Sequence, residues 1–213
     1  MKLYEAVRSS ASFRVRIALN LKGIPYESQV LDLRAGDHLR PEYARINPCK
    51  AVPTLVDGGR TLVQSMAILE YLEETHPEPP LFPRALAERA RVRAIAQLVA
   101  CEIHPLNNLR VLKYLEGELG ADEAARDRWY HHWVHEGFAG LEPMLAPPAT
   151  GTFCHGDAPT VADVFLVPQV VNAMRFKVDL SAYPRVVRIY EACMKLPEFE
   201  RAHPARHPAG GAS

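Results

Sequence analysis

The sequence predicts an α/β half, with helices laid on a mixed sheet, followed by an all-helical half. Three observations carry that prediction. Strand and helix signals alternate over residues 1–75, four prolines fall within the eight residues His76 to Pro83, and from Arg84 onward the apolar period is helical. The boundaries that follow are 1–75 for the α/β domain, 76–83 for a proline-rich linker and 84–202 for the helical domain. The Pro, Gly and Ala tail 203–213, which has no periodicity, is expected to fray.

Lys2 to Ala6 reads as a first strand, and Arg14 to Lys22 as a helix with Val15, Ala18 and Leu19 on its apolar face, stopped by Gly23 and Pro25. Between them Arg8, Ser9, Ser10 and Ser12 form a strand-to-helix turn whose hydroxyls and orphan N–H groups converge. Helix N-termini favour anions by geometry and dipole, and a thiolate is an anion. The alternative is that Ser10 or Ser12 simply caps the helix. Tyr26 to Leu31 reads as a second strand, and Arg34 to Arg45 as polar chain with a short helical piece at most. Apolar runs on either side of Asp57-Gly58-Gly59 predict a hairpin, with Pro53 at the start of its first strand. Ser65 reads as the N-cap of a helix over Met66 to Thr75. The order β-α-β-α-β-β-α is a thioredoxin-like layout.

In the second half, Val92, Ile95, Ala96, Val99 and Ile103 recur at three and four until Pro105 breaks or kinks the helix. Val111, Leu112, Leu115 and Leu119 continue an apolar face, and Trp129, Trp133, Leu141 and Leu145 mark a further helix. Thr160-Val161-Ala162-Asp163 is a capping-box variant opening an apolar helix to Met174, and Pro184 opens a last helix through Met194.

Lys+Arg and Asp+Glu balance at 25 each in 213 residues, so no global field draws the protein to nucleic acid or an anionic membrane. No stretch is long and apolar enough to span a bilayer, and the start lacks a signal-type apolar core; a soluble, cytoplasmic protein is expected. Cys49, Cys101, Cys154 and Cys193 form no C-x-x-C pair, fit free thiols, and none sits in a recognisable nucleophile setting. Ser9 and Ser10 lie outside any G-x-S-x-G elbow, which argues against a serine hydrolase. His131, His132 and His135 offer an i, i+4 pair without the order of a zinc helix, so no metal is expected. Arg8, Arg110 and Arg175 would suit a substrate with two carboxylates if they met; read singly, Arg110 and Arg175 are surface charges.

Taken together these residues resemble the cytosolic glutathione transferases, and Ser9-Ser10-Ala11-Ser12-Phe13-Arg14-Val15-Arg16-Ile17-Ala18-Leu19 is similar to the signature of the zeta class. That class includes bacterial maleylacetoacetate isomerases and the related maleylpyruvate isomerases. The resemblance extends through Asn47-Pro48, Val52-Pro53, Gln64-Ser65, His104 to Arg110, Asp163, Val167-Pro168-Gln169 and Arg175 to Leu180. It implies glutathione as cofactor, a small dicarboxylate substrate and a homodimer. Ser9 would donate to the glutathione sulfur, with Ser10 and Ala11 beside it. Val52, before a cis Pro53, would pair its backbone with the cysteinyl part. Gln64 and Ser65 would hold the γ-glutamyl end, with His38 and Lys50 near the glycine end. His104 and Asn108 would also reach glutathione, and Arg8, Arg110 and Arg175 would clamp carboxylates, Arg8 serving the developing enolate. Ala11 stands where many members have cysteine and Phe13 where they have tryptophan; the thiol of glutathione makes a protein cysteine dispensable. The implied activity is glutathione-dependent isomerisation of maleylacetoacetate to fumarylacetoacetate in tyrosine and phenylalanine breakdown. The alternatives are maleylpyruvate as substrate in gentisate breakdown, or a non-catalytic glutathione-fold binding or stress protein.

Overall fold

The computed structural model describes residues 1–209. Its four strands are β1 (Lys2–Glu5), β2 (Glu27–Val30), β3 (Thr54–Asp57) and β4 (Arg60–Val63), in the sheet order β2-β1-β3-β4. β1 runs parallel to β2 and antiparallel to β3, which is antiparallel to β4. The β3–β4 turn is the expected one: Gly58 and Gly59 both take positive φ, at 52° and 81°, as a tight hairpin whose twist matches its strands requires. Helices α1 (Ser10–Leu21), α2 (Pro41–Ile46) and α3 (Ser65–Thr75) complete this half. A single 3-10 turn, Asp37–Leu39, precedes α2.

Two corrections concern helix starts. α1 begins at Ser10 rather than Arg14, and its N-cap is Ser9, not Ser10 or Ser12. Ser65 is the first residue of α3 and Gln64 its N-cap, at φ 70° with no side-chain cap bond. The buried Ser65 hydroxyl accepts from Arg14 Nη1 at 3.2 Å instead. α1 is also buried on more than the one apolar face the sequence suggested: Ser12, Arg14 and Arg16 are as enclosed as Leu19.

The helical half comprises α4 (Leu86–Gln97), a π-helical continuation Leu98–Ile103, α5 (Leu109–Gly117), α6 (Glu123–Met144), α7 (Val161–Arg175) and α8 (Pro184–Met194). A further short helix, α9 (Pro197–Ala202), follows. α7 is its centre. Every residue from Val161 to Val170 is buried, so the helix is enclosed on all sides. The Thr160–Asp163 box forms as expected. Asp163 Oδ2 accepts from the Thr160 N–H (2.8 Å) and hydroxyl (3.0 Å), while Oδ1 accepts from the Cys154 N–H at 2.8 Å. On α6 the buried seam is Tyr130, Val134, Phe138 and Leu141, and both tryptophans are only half-buried. α5 buries no residue fully and ends at Gly117, and Leu119 beyond it is 64% exposed, so the expected apolar face Val111, Leu112, Leu115 and Leu119 is only partly covered.

The chain divides into two compact units, Phe82–Cys193 and the remainder, which joins residues 1–81 to the segment from Met194 on. The boundary therefore falls inside the expected linker, and residues 194–202 do not belong to the helical unit. α9 packs on α1. The expectation of a frayed tail fails for 203–209: residues 204–206 form a 3-10 turn and His207 Nε2 reaches Glu5 Oε1 at 3.3 Å. Residues 210–213 of that tail lie outside the described residues. The proline stretch is anchored too, because Lys22 Nζ donates to His76 O (2.7 Å), Pro79 O (3.0 Å) and Glu73 Oε2 (2.8 Å).

Asp163 accepts from four donors in a fully buried position, the Cys193 thiol at 3.8 Å among them, so Asp163→Ala is expected to destabilise the protein by roughly 3–5 kcal/mol, the cap loss and orphaned N–H groups together. Urea unfolding of parent and variant measures this; a loss no larger than that of an exposed cap contradicts it.

Candidate active site

Sheet topology brings the α/β candidates together. β1 and β4 run the same way with β3 reversed between them, so the chain leaves β1 and β4, and enters β3, at one end of the sheet. Tyr4, Thr54 and Val63 stand in one cross-strand row. One step or a short loop beyond that row lie Ser9, the cis Val52–Pro53 bond, and Gln64-Ser65.

The serine turn is tightly specified. Ser9 N–H donates to Ala6 O at 3.0 Å, and the Ala6 N–H returns to the buried Ser12 hydroxyl at 3.4 Å. Ser9 Oγ accepts from the Ser12 N–H at 3.2 Å. A hydroxyl has two lone pairs and one proton, so this cap bond uses acceptor capacity and leaves the O–H as a donor. Ser10 and Ala11 are the first residues of α1, where backbone N–H groups have no intrahelical acceptor, and the first turn carries no acidic residue. This end of α1 attracts an anion. Arg8 is exposed beside it.

A second helix start, that of α3, presents Gln64 and Ser65, tied to α1 through Arg14. The loop carrying Lys50 and Val52 is held by Asn47, which the resemblance included without giving it a role, and by Tyr43, which sequence reasoning did not single out. The Asn47 amide donates to Ala51 O (2.8 Å) and Thr54 Oγ1 (2.9 Å), and the Tyr43 hydroxyl bonds the same two oxygens. Lys50, exposed, takes φ 52°, and half-buried His38 lies in the Asp37–Leu39 turn.

In the helical unit, Asn108 caps α5, its Oδ1 accepting from the Arg110 N–H at 3.1 Å, which leaves its amide as a donor. His104 is half-buried and ends the π-helical segment, and Arg110 is exposed. Arg175, the last residue of α7, is exposed with its guanidinium 4.9 Å from the Phe176 ring. Both arginine-bearing segments are fastened to one stretch of α6, residues 129–131. Trp129 Nε1 donates to Leu106 O at 2.8 Å and the Asn107 amide to Tyr130 O at 3.4 Å. The Tyr130 ring stacks on Phe176 at 3.9 Å, and His131 Nε2 bonds Phe176 O at 2.7 Å. Burial pushes the Tyr130 hydroxyl up as an acid, with the Arg175 charge opposing that shift. These contacts give Trp129 and His131 structural partners; His135 likewise bonds the Tyr183 hydroxyl at 2.9 Å. Among the described residues no group of three ligand-type side chains could hold a metal ion. Burial, reinforced by Asp163, pushes both the Cys154 and Cys193 thiols up, away from nucleophile chemistry.

Residues 1–74 match the model of the glutathione S-transferase N-terminal domain family. The maleylacetoacetate isomerase of Rhizobium meliloti (strain 1021) is 50% identical over 204 residues, 96% of this chain and 96% of its own. The chain belongs to the zeta-class glutathione transferase family. A holo structure of maleyl pyruvate isomerase, described as a bacterial zeta-class transferase, is similar with a TM-score of 0.96 at 48% identity, covering 98% of this chain and 99% of that one. A maleylacetoacetate isomerase from Methylobacterium extorquens AM1, solved with malonate and glutathione, gives a TM-score of 0.96 at 46% identity over the whole of both chains. The zeta-class signature therefore occupies a turn whose cap bond and helix start are in place, despite Ala11 and Phe13.

Ser9→Ala is expected to cost about 1 kcal/mol of stability through the lost cap, whereas Ser9→Asp keeps an acceptor and suits the helix dipole. Thermal unfolding should place Ser9→Ala below the parent and Ser9→Asp close to it. Equal melting of Ala and parent would remove the cap bond from the account.

Proposed function

We propose that the protein is a glutathione-dependent cis–trans isomerase that converts maleylacetoacetate to fumarylacetoacetate in tyrosine and phenylalanine breakdown, acting in the cytoplasm as a homodimer. The observation that carries this reading is Ser9, whose oxygen is committed to capping α1 while its O–H remains a donor at an anion-attracting helix start. No helix is long and apolar enough to cross a membrane among the described residues.

The residues fit glutathione. Two helix starts and a cis-proline loop lie at one end of the sheet, without an acid in the first turn of α1 or α3. Ser9, Ser10 and Ala11 would take the cysteinyl sulfur region, the Val52 backbone the cysteinyl amide, and Gln64 and Ser65 the γ-glutamyl end. His38 and Lys50 would serve the glycine end, and the same resemblance assigns His104 and Asn108 to glutathione. Bound there, glutathione supplies a thiol whose reversible addition to the cis double bond turns it into a bond free to rotate. A cysteine-like thiol is mostly protonated at neutral pH; the Ser9 O–H and the α1 N-terminus favour its ionised form. Arg8 holds the negative charge that develops on the substrate carbonyl oxygen. Arg110 and Arg175 bind substrate carboxylates, Arg175 oriented by the Phe176 ring. The second reading, maleylpyruvate as substrate, is favoured by the likeness to maleyl pyruvate isomerase. The two substrates differ only in the chain between carboxylate and alkene, so the purified enzyme is assayed on both.

Glutathione is expected to be catalytic and not consumed. Conversion followed by absorbance with substoichiometric glutathione should run to completion; a halt after one equivalent refutes the reading.

Arg175→Lys keeps charge but loses the fork, and is expected to raise KM for the dicarboxylate about tenfold while glutathione affinity stays near the parent's. Unchanged kinetics make Arg175 a surface charge, and a large fall in glutathione affinity on calorimetry assigns it to the cofactor.

A further inference from the structure

Arg16 is a charged side chain buried inside the signature helix, 2% exposed, and nothing in the isomerase chemistry uses it. Its guanidinium serves three partners from three parts of the chain. Nη1 pairs with Glu5 Oε2 at the end of β1 (2.5 Å), and Nη2 donates to Val7 O in the turn leading to Ser9 (3.1 Å). Nε donates to Ala202 O, the last residue of α9, at 2.9 Å. The third partner is a terminal carbonyl of a helix, which otherwise lacks a donor.

The C-terminal segment meets α1 and β1 in steps. The Asn20 amide donates to Glu198 O (3.0 Å), Arg16 reaches Ala202, the Phe13 ring meets the His203 ring edge-on at 5.8 Å, and His207 reaches Glu5 at 3.3 Å. Residues 198–207 thus run as a strap from the C-terminal end of α1 toward its serine-bearing end. Besides Arg16, the ionisable groups facing this cluster include Glu5, Tyr26, Glu200, His203, Arg206 and His207. Burial and the Arg16 and Arg206 charges lower the affinity of His203 for a proton, so it packs on Phe13 as a neutral ring.

We propose that Arg16 is a positioning residue for the thiol-activating turn, fixing the Val7 carbonyl and through it Ser9, and that the C-terminal strap holds Arg16 in that role. The bonds among Ala6, Ser9 and Ser12 tie the turn to the start of α1, and the Arg16 bond to Val7 O ties the residue between Ala6 and Arg8 to the body of that helix. A planar fork can serve Glu5, Val7 and Ala202 at once; a lysine ammonium at that position cannot span them. The proposal rests on the assignment of Ser9 as the donor to the glutathione thiol.

The test uses full-length protein and glutathione as the probe, with the thiol pKa of bound glutathione read from thiolate absorbance in the ultraviolet. Arg16→Lys is expected to raise that pKa by about one unit, a tenfold shift of the thiol ionisation equilibrium, with kcat at neutral pH falling alongside. The double variant Asn20→Ala, His207→Ala loosens the strap without touching Arg16 and is expected to shift the pKa in the same direction by less. Arg91→Lys is the control. Arg91 bonds Met144 O, Thr150 Oγ1 and Cys154 O in the other unit, so its variant should lower the melting temperature and leave the thiol pKa alone. A lowered parent pKa that neither Arg16→Lys nor the double variant moves overturns this proposal alone, as does an equal shift in Arg91→Lys. If Arg16→Lys fails to fold, the double variant decides. A parent that leaves the glutathione thiol at its free pKa overturns the assignment of Ser9 and this proposal with it.

Discussion

The buried pair of Glu5 and Arg16 is the interaction on which the first unit is arranged. Two charges in a nearly waterless place are tolerable only when every remaining donor and acceptor is satisfied, and breaking such a pair costs more than making it returns. Here the other Glu5 oxygen accepts from the Ser28 hydroxyl at 2.6 Å and lies within 3.3 Å of His207, while Arg16 spends its other nitrogens on Val7 and Ala202. One ion pair therefore fastens β1, β2, the serine turn, α1 and the C-terminal segment. The unit is a sheet with helices closed by a strap from the far end of the chain.

Against that fixed frame the electrostatics at the serine-bearing end of the sheet are local. Glu5 is the only carboxylate next to the serine turn in sequence, and its charge is neutralised by Arg16. The α1 terminus thus keeps its preference for anions. Ser9 serves two ends with one side chain, accepting from the helix and keeping a proton to donate. This economy explains why a helix cap and a thiol-activating serine need not be competing descriptions of the same residue.

In the helical unit the corresponding constraint is the α6 stretch at Trp129, Tyr130 and His131. It fixes the turn before Arg110 and the corner after Arg175 by a ring stack and backbone-directed hydrogen bonds. The arginines themselves are exposed, so their placement is inherited from neighbours that are not. Asp163 plays the matching part for the entry of α7, taking donors from two segments into one buried carboxylate.

Much of this was legible in the sequence, because it depends on neighbours along the chain. The Asp57-Gly58-Gly59 hairpin, the Thr160–Asp163 box, the heptad-like burial of Val92 to Ile103 and the serine signature each follow from conformational preference or short-range periodicity. What tertiary structure alone decided lies in contacts between residues far apart. Arg16 and Ala202 are 186 positions apart, and a charged residue in a helix reads as solvated until its partners are known. Ser65 looked like a cap because serine often is one; its hydroxyl went instead to Arg14, 51 residues away. The tail looked disordered for want of periodicity, yet residues up to His207 are held by side chains of β1 and α1. Short-range pattern determines which elements form. Burial of charge, which no local window contains, determines where residues 198–207 go and how the turn bearing Ser9 is held.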